Sequence, residues 1–190
     1  MELYKINDFI SKEDADILIN FIEKKMELDL NDAPRGRRVL KFGDNEDTEY
    51  LMPTLPVESL EYVSDIVFKY WRNMTKLINE TYKLDKEIYP LNLWLSKQWP
   101  GSLVSEHVDE NNDENAKYSH TAIIYLNDQL RGGKTYFKKI NEVVIPKQGN
   151  AIFFDCKDPD SLHGVTNTRE TRYSINLWFT QDPFYKFDIL

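Results

Sequence analysis

The 190-residue chain contains three histidines, and two of them sit in patterns that suit metal chemistry. His107 is followed two positions later by Asp109. Side chains two apart on a strand leave it on the same face, so an imidazole and a carboxylate there can approach one ion together. His163, farther on, begins the run HGVTNTRETRYSINLWF. Two histidines and one carboxylate make a facial triad that suits non-haem Fe(II) and leaves coordination positions open. Arg172 lies nine residues beyond His163. A guanidinium held on a strand grips a carboxylate through two parallel hydrogen bonds. Taken singly, each feature also has a plainer reading: a surface pair in the acidic segment Glu106–Glu114, and a surface ion pair for Arg172.

These residues need elements to hold them. Ser11 reads as an N-cap with Asp14 three residues on, and Ala15, Leu18, Phe21, Ile22 and Met26 then recur at helical spacing. Pro56 opens a second helix, whose stripe of Leu60, Val63, Ile66, Val67, Tyr70, Met74 and Ile78 runs to about Lys83. Between them lies a polar stretch, Asp29–Thr54, too long for a plain connector and expected to form a hairpin or a lid. After Lys86 the period changes to two. Strands are expected at Leu91–Trp99, Val104–Asp109, Tyr118–Leu126, Thr135–Lys138, Glu142–Ile145, Ala151–Phe154 and Thr171–Phe179, with turn residues between them. The fold class is therefore mainly β with N-terminal helices, the helices covering one outer face of a sandwich or barrel. The division is residues 1–86, helices and polar flap, supporting a core of residues 87–190 in one domain.

Composition narrows the function. Lys and Arg number 24 against 32 Asp and Glu, a formal charge of −8, which argues against a bulk phosphate-binding surface, so nucleic acid is not an expected partner. A single cysteine, Cys156, excludes an internal disulfide and an all-cysteine metal cluster. The N-terminal residues lack a signal-peptide pattern, and no stretch approaches the roughly 18 apolar residues of a membrane span, so a cytoplasmic protein is expected.

The order of motifs resembles the 2-oxoglutarate (2OG)/Fe(II)-dependent dioxygenases of the prolyl 4-hydroxylase type. Trp99-Pro100-Gly101 precedes His107-x-Asp109, Tyr125-Leu126-Asn127 and Gly132-Gly133-Lys134-Thr135-Tyr136-Phe137 follow it, and Pro146-x-x-Gly149 leads into Ala151-Ile152-Phe153-Phe154. His163 and Arg172-Tyr173-Ser174-Ile175 close the set, and the resemblance spans about Tyr89 to Phe179. It implies a double-stranded β-helix, the jelly-roll core. It also implies Fe(II) on His107, Asp109 and His163, and 2OG as co-substrate with its far carboxylate on Arg172, Tyr125 and Thr135. O2 is the second co-substrate and ascorbate an accessory reductant. Two departures bear on the substrate: arginine stands where collagen-type enzymes usually offer lysine, and Lys134 replaces a glutamate.

The expected reaction is hydroxylation of a C–H bond, with peptidyl proline in a polypeptide partner as the leading substrate. The alternatives are the same chemistry on a free amino acid, another side chain or a nucleobase, and a jelly-roll binding module without catalysis. Trp99 and Trp178 offer flat surfaces for a pyrrolidine ring, and Arg35, Arg37 and Arg38 sit in the polar segment as substrate contacts. His120 is out of phase with Tyr125 and is expected to face away from the pocket.

Overall fold

The computed structural model describes residues 1–28, 37–43, 57–109 and 118–183, with side chains at 1–25, 62–109 and 118–183. Helix α1 spans Lys12–Leu28 and α2 spans Val57–Tyr82. Ser11 caps α1 as its pattern predicts: its Oγ accepts the Asp14 N–H at 3.1 Å. The described part of each predicted stripe is buried, Ala15, Leu18, Phe21 and Ile22 on α1 and Val63, Ile66, Val67, Tyr70, Met74 and Ile78 on α2, while the Met26 and Leu60 side chains lie outside the described residues.

Among the described residues, ten strands form two antiparallel sheets, the layout of a double-stranded β-helix. The larger contains β1 (Leu3–Ile6), β2 (Arg37–Gly43), β3 (Tyr89–Gln98), β5 (His120–Tyr125), β8 (Ala151–Asp155) and β10 (Arg172–Thr180), in the order β1-β8-β5-β10-β3-β2. The smaller contains β4 (Val104–His107), β6 (Thr135–Phe137), β7 (Glu142–Val144) and β9 (His163–Val165), in the order β4-β9-β6-β7.

Alternation divides the apolar residues between two cores. Leu93, Leu95, Ala122, Ile124, Phe153, Ile175 and Leu177 face the helices, while Ile123, Tyr125, Ile152, Phe154 and Trp178 face the space between the sheets. A bulge pairs Trp178 with Asn92 but Phe179 with Pro90, so Leu91 is the extra residue and joins the inner core.

Three strands go beyond the sequence expectation. β1 pairs along its whole length with β8, and β9 is three residues long, too short to carry a periodic signal. The third corrects the reading of Asp29–Thr54. Its residues 37–43 form neither a hairpin nor a lid but an edge strand, paired with β3 at seven positions from Arg37 opposite Gln98 to Gly43 opposite Asn92. The outer edge of β3 would otherwise leave a row of backbone donors and acceptors unpaired. The rest of the Asp29–Thr54 stretch, including Arg35, lies outside the described residues. Among the described residues, no helix is long and apolar enough to cross a membrane.

Candidate metal centre and carboxylate clamp

β4 and β9 lie side by side, with His107 opposite His163 and Val104 opposite Val165. Three steps separate the two residues on β4 and two separate those on β9, so β4 carries one extra residue. That bulge cancels the odd spacing and brings Val104, His107, His163 and Val165 onto one cavity wall. Asp109 follows just past the end of β4 and is buried. Its Oδ1 lies 3.6 Å from His107 Nε2 and its Oδ2 4.0 Å from His163 Nε2. One donor atom from each residue falls within 4.8 Å of the others.

The same device turns both imidazoles. His107 Nδ1 lies 2.8 Å from the Ser105 carbonyl, and His163 Nδ1 lies 2.9 Å from the Ser161 carbonyl. A carbonyl oxygen only accepts, so Nδ1 carries the proton and Nε2 presents its lone pair to the cavity. The rings of Phe137 and Phe154, centred 5.5 and 5.1 Å away, pack against His163. Thr121 donates to Asp109 Oδ2 at 2.7 Å. Burial acts most strongly on the Asp109 carboxyl and pushes its pKa up, but the Thr121 hydrogen bond, with His107 and His163 when their rings are protonated, outweighs it and holds the group below its usual range. Two neutral imidazoles and an ionised carboxylate, converging with space beyond them, are a donor set that fits Fe(II).

The same cavity is lined by Arg172 and Gln98, the facing ends of β10 and β3. Arg172 is 2% exposed. Its Nη1 donates to Gln98 Oε1 at 2.6 Å and to Ser174 Oγ at 3.1 Å, and its Nη2 reaches Thr135 Oγ1 at 3.5 Å. The Tyr125 hydroxyl donates to Thr135 Oγ1 at 2.9 Å, and its ring centre lies 5.5 Å from the guanidinium carbon. Burial raises the Tyr125 pKa against the lowering effect of Arg172, so the phenol stays a neutral donor. Arg172, Tyr125 and Thr135 thus meet around one point, although they come from three strands.

Trp178 lines the cavity and meets the Trp94 ring edge-on at 4.6 Å between centroids. Trp99 needs correction. It follows Gln98 by one residue and therefore falls on the opposite face, packed against the helix-side core with Lys97 Nζ 4.8 Å from its ring centre. Arg37 shares a cross-strand row with Gln98 and Arg172, and Arg38 shares one with Lys97 and Tyr173. His120 is buried on the helix side against the Tyr82 ring, away from His107, Asp109 and His163.

Gln98, Thr121, Ser174 and Asn176 were not singled out from the sequence. The signal available was a polar residue at alternate places along otherwise apolar strands: Asn92, Ser96 and Gln98 on β3, and Ser174 and Asn176 on β10. A larger cleft of about 520 Å³, between α2 and the start of β3, is lined by Arg72, Asn79, Leu84 and Tyr89 and contains none of these groups.

Residues 93–180 match the model of the 2OG-Fe(II) oxygenase superfamily. The chain is 30% identical over 112 residues to a provisionally named prolyl 4-hydroxylase of Acanthamoeba polyphaga mimivirus, an alignment covering 49% of this chain and 46% of the relative. It is 36% identical over 73 residues to prolyl 3-hydroxylase 2 of Rattus norvegicus, covering 35% of this chain and 10% of that one. The chain thus spans about half, or far less, of the length of these relatives. In fold it is similar to a viral collagen prolyl hydroxylase from Paramecium bursaria chlorella virus-1, solved with 2OG, at a TM-score of 0.69 and 22% identity, covering 96% of this chain and 97% of that one.

Proposed function

We propose that this chain, whose residues 93–180 match the 2OG-Fe(II) oxygenase model, is a 2OG-dependent dioxygenase that hydroxylates proline within a polypeptide. The observation that carries the reading is one cavity lined by His107, Asp109 and His163 together with the buried Arg172. An iron site and a carboxylate clamp within one cavity suit a keto acid that chelates the metal at one end and is gripped at the other. Fe(II) held by the three ligands would supply O2 activation coupled to oxidative decarboxylation of 2OG to succinate and CO2.

The residues of the chain do the rest. The Ser105 and Ser161 carbonyls keep each Nε2 free of its proton, and Thr121 holds the Asp109 carboxylate in place. Arg172 pairs with the distal carboxylate of 2OG in a site of low dielectric, with Thr135 as a neutral donor beside it, its Oγ1 held by the Tyr125 hydroxyl. Ile123, Val165 and Trp178 give the cavity apolar walls. Trp178, buried between Trp94 and Tyr118, lines the cavity where a pyrrolidine ring would pack. His107, 36% exposed at its side chain, marks the open side from which a peptide would enter. The names of the curated relatives, a 4-hydroxylase and a 3-hydroxylase of proline, support a prolyl substrate.

The test is direct. Fe(II) and 2OG added without O2 are expected to give a visible charge-transfer band. With O2 and a library of proline-containing peptides, one oxygen atom of mass should be gained per succinate released. Mass gain confined to free amino acids would overturn the peptide assignment, and the lack of any band would overturn the oxygenase reading.

A further inference from the structure

One residue in the cavity has a donor that the reading above does not use. Gln98 is fully buried at the end of β3. Its carboxamide orientation is dictated by Arg172, because a guanidinium only donates: the oxygen must face Nη1, at 2.6 Å. The amide nitrogen is then forced to the other side. That Nε2 is buried and has no hydrogen-bond partner among the described residues, while Gln98 itself lines the metal cavity. A buried amide donor without an acceptor is costly, so the site is built for an acceptor that arrives with a ligand.

We propose that Gln98 is a specificity residue for the co-substrate, its Nε2–H donating to the distal carboxylate that Arg172 pairs with. The inference rests on the 2OG reading of this site. One side chain has two tasks: Oε1 holds the guanidinium in place, and Nε2 supplies a neutral second donor. The clamp then presents one positive charge and an array of neutral donors to one negative charge. An acceptor is required at the position Nε2 faces. A carboxylate oxygen satisfies that demand, whereas the NH2 end of a primary amide placed there does not, so the site selects a dicarboxylic keto acid over its ω-amide.

Two substitutions separate donation from mere support of Arg172. Gln98→Leu keeps the bulk and removes both groups. Gln98→Glu keeps an acceptor for Arg172 and replaces the donor with a second carboxylate oxygen. Binding is measured by calorimetry on the Mn(II)-loaded protein without O2, using 2OG and 2-oxoglutaramate as probes, with thermal unfolding to confirm the fold. The unsubstituted protein is expected to prefer 2OG. Gln98→Leu should weaken 2OG about 10- to 100-fold, the range for a lost hydrogen bond to a charged group. Gln98→Glu should weaken 2OG at least as much and shift the 2OG-to-amide preference toward the amide by about 100-fold or more. If Gln98→Glu leaves that preference within about threefold of the parent, a change worth less than one hydrogen bond, Nε2 does not face the carboxylate and the proposal is overturned. If the unsubstituted protein binds 2OG no better than the amide, the selectivity is absent and the proposal falls while the oxygenase reading stands. If it binds neither, the oxygenase reading itself fails and takes this inference with it.

Discussion

Replacing Arg172 tests the clamp most severely, and its magnitude follows from the burial of the site. The guanidinium is 2% exposed and is fixed by Gln98, Ser174 and Thr135. A carboxylate about 4 Å from it, at an effective dielectric constant of about 20, gains about 4 kcal/mol. Breaking a buried charge pair by removing one partner typically costs about 3–5 kcal/mol, which agrees. Arg172→Ala should therefore weaken 2OG binding by about a thousandfold. The folded state should survive, because the substitution also removes a buried charge from the ligand-free protein. Arg172→Lys keeps the charge but not the planar fork, and one ammonium does not reproduce contacts to Gln98, Ser174 and Thr135 together; a loss of about tenfold is expected. The assay is anaerobic titration of 2OG into the Fe(II)-loaded protein, following the charge-transfer band, with circular dichroism as the fold control. An alanine variant that binds 2OG within about tenfold of the parent would refute the reasoning, since a buried ion pair cannot be worth so little.

The proposed metal ligands give a paired prediction: His163→Ala should abolish measurable Mn(II) binding by equilibrium dialysis, while His120→Ala, on the other face of β5, should leave it within about threefold, less than the tenfold or more that loss of a group supporting a ligand costs. Thr121→Val removes the hydrogen bond to Asp109 Oδ2 with little change in shape, and should weaken metal binding about 10- to 100-fold in the same dialysis without lowering the thermal midpoint much. His120 should also set a pH dependence of stability. Burial dominates and lowers its pKa to about 4, with Asp155 opposing and Lys157 adding to the shift, and its ring rests on Tyr82. The unfolded chain then binds the extra proton between about pH 6.5 and pH 4, so this stabilisation is complete above about pH 6.5 and lost as pH falls through about 4. Urea unfolding across that window should show a decline of roughly 3 kcal/mol that is absent in His120→Phe.

The chemistry of this chain was legible because its reactive residues are polar exceptions in apolar, alternating strands. His107, Asp109, His163 and Arg172 stand out by type, and the expected strands around them match β3, β4, β5, β6, β7, β8 and β10 to within a few residues at each end. What the pattern concealed was register. Gln98 and Arg172 are 74 positions apart and become partners only because β3 and β10 pair end to end. Nothing in the sequence marks Thr121, and only the placement of β5 brings it against Asp109. The extra residue in β4 has no sequence mark, yet it decides that Val104 and His107 share a wall. Trp99 shows the converse error: an aromatic beside a motif draws attention, but a shift of one position on a strand exchanges the cavity for the helix layer. Residue type therefore points to candidates for a metal and a carboxylate site, and only strand pairing determines which neutral side chains stand beside them. The least conspicuous members of the site, Gln98 and Thr121, are for that reason the ones from which substitution has most to reveal.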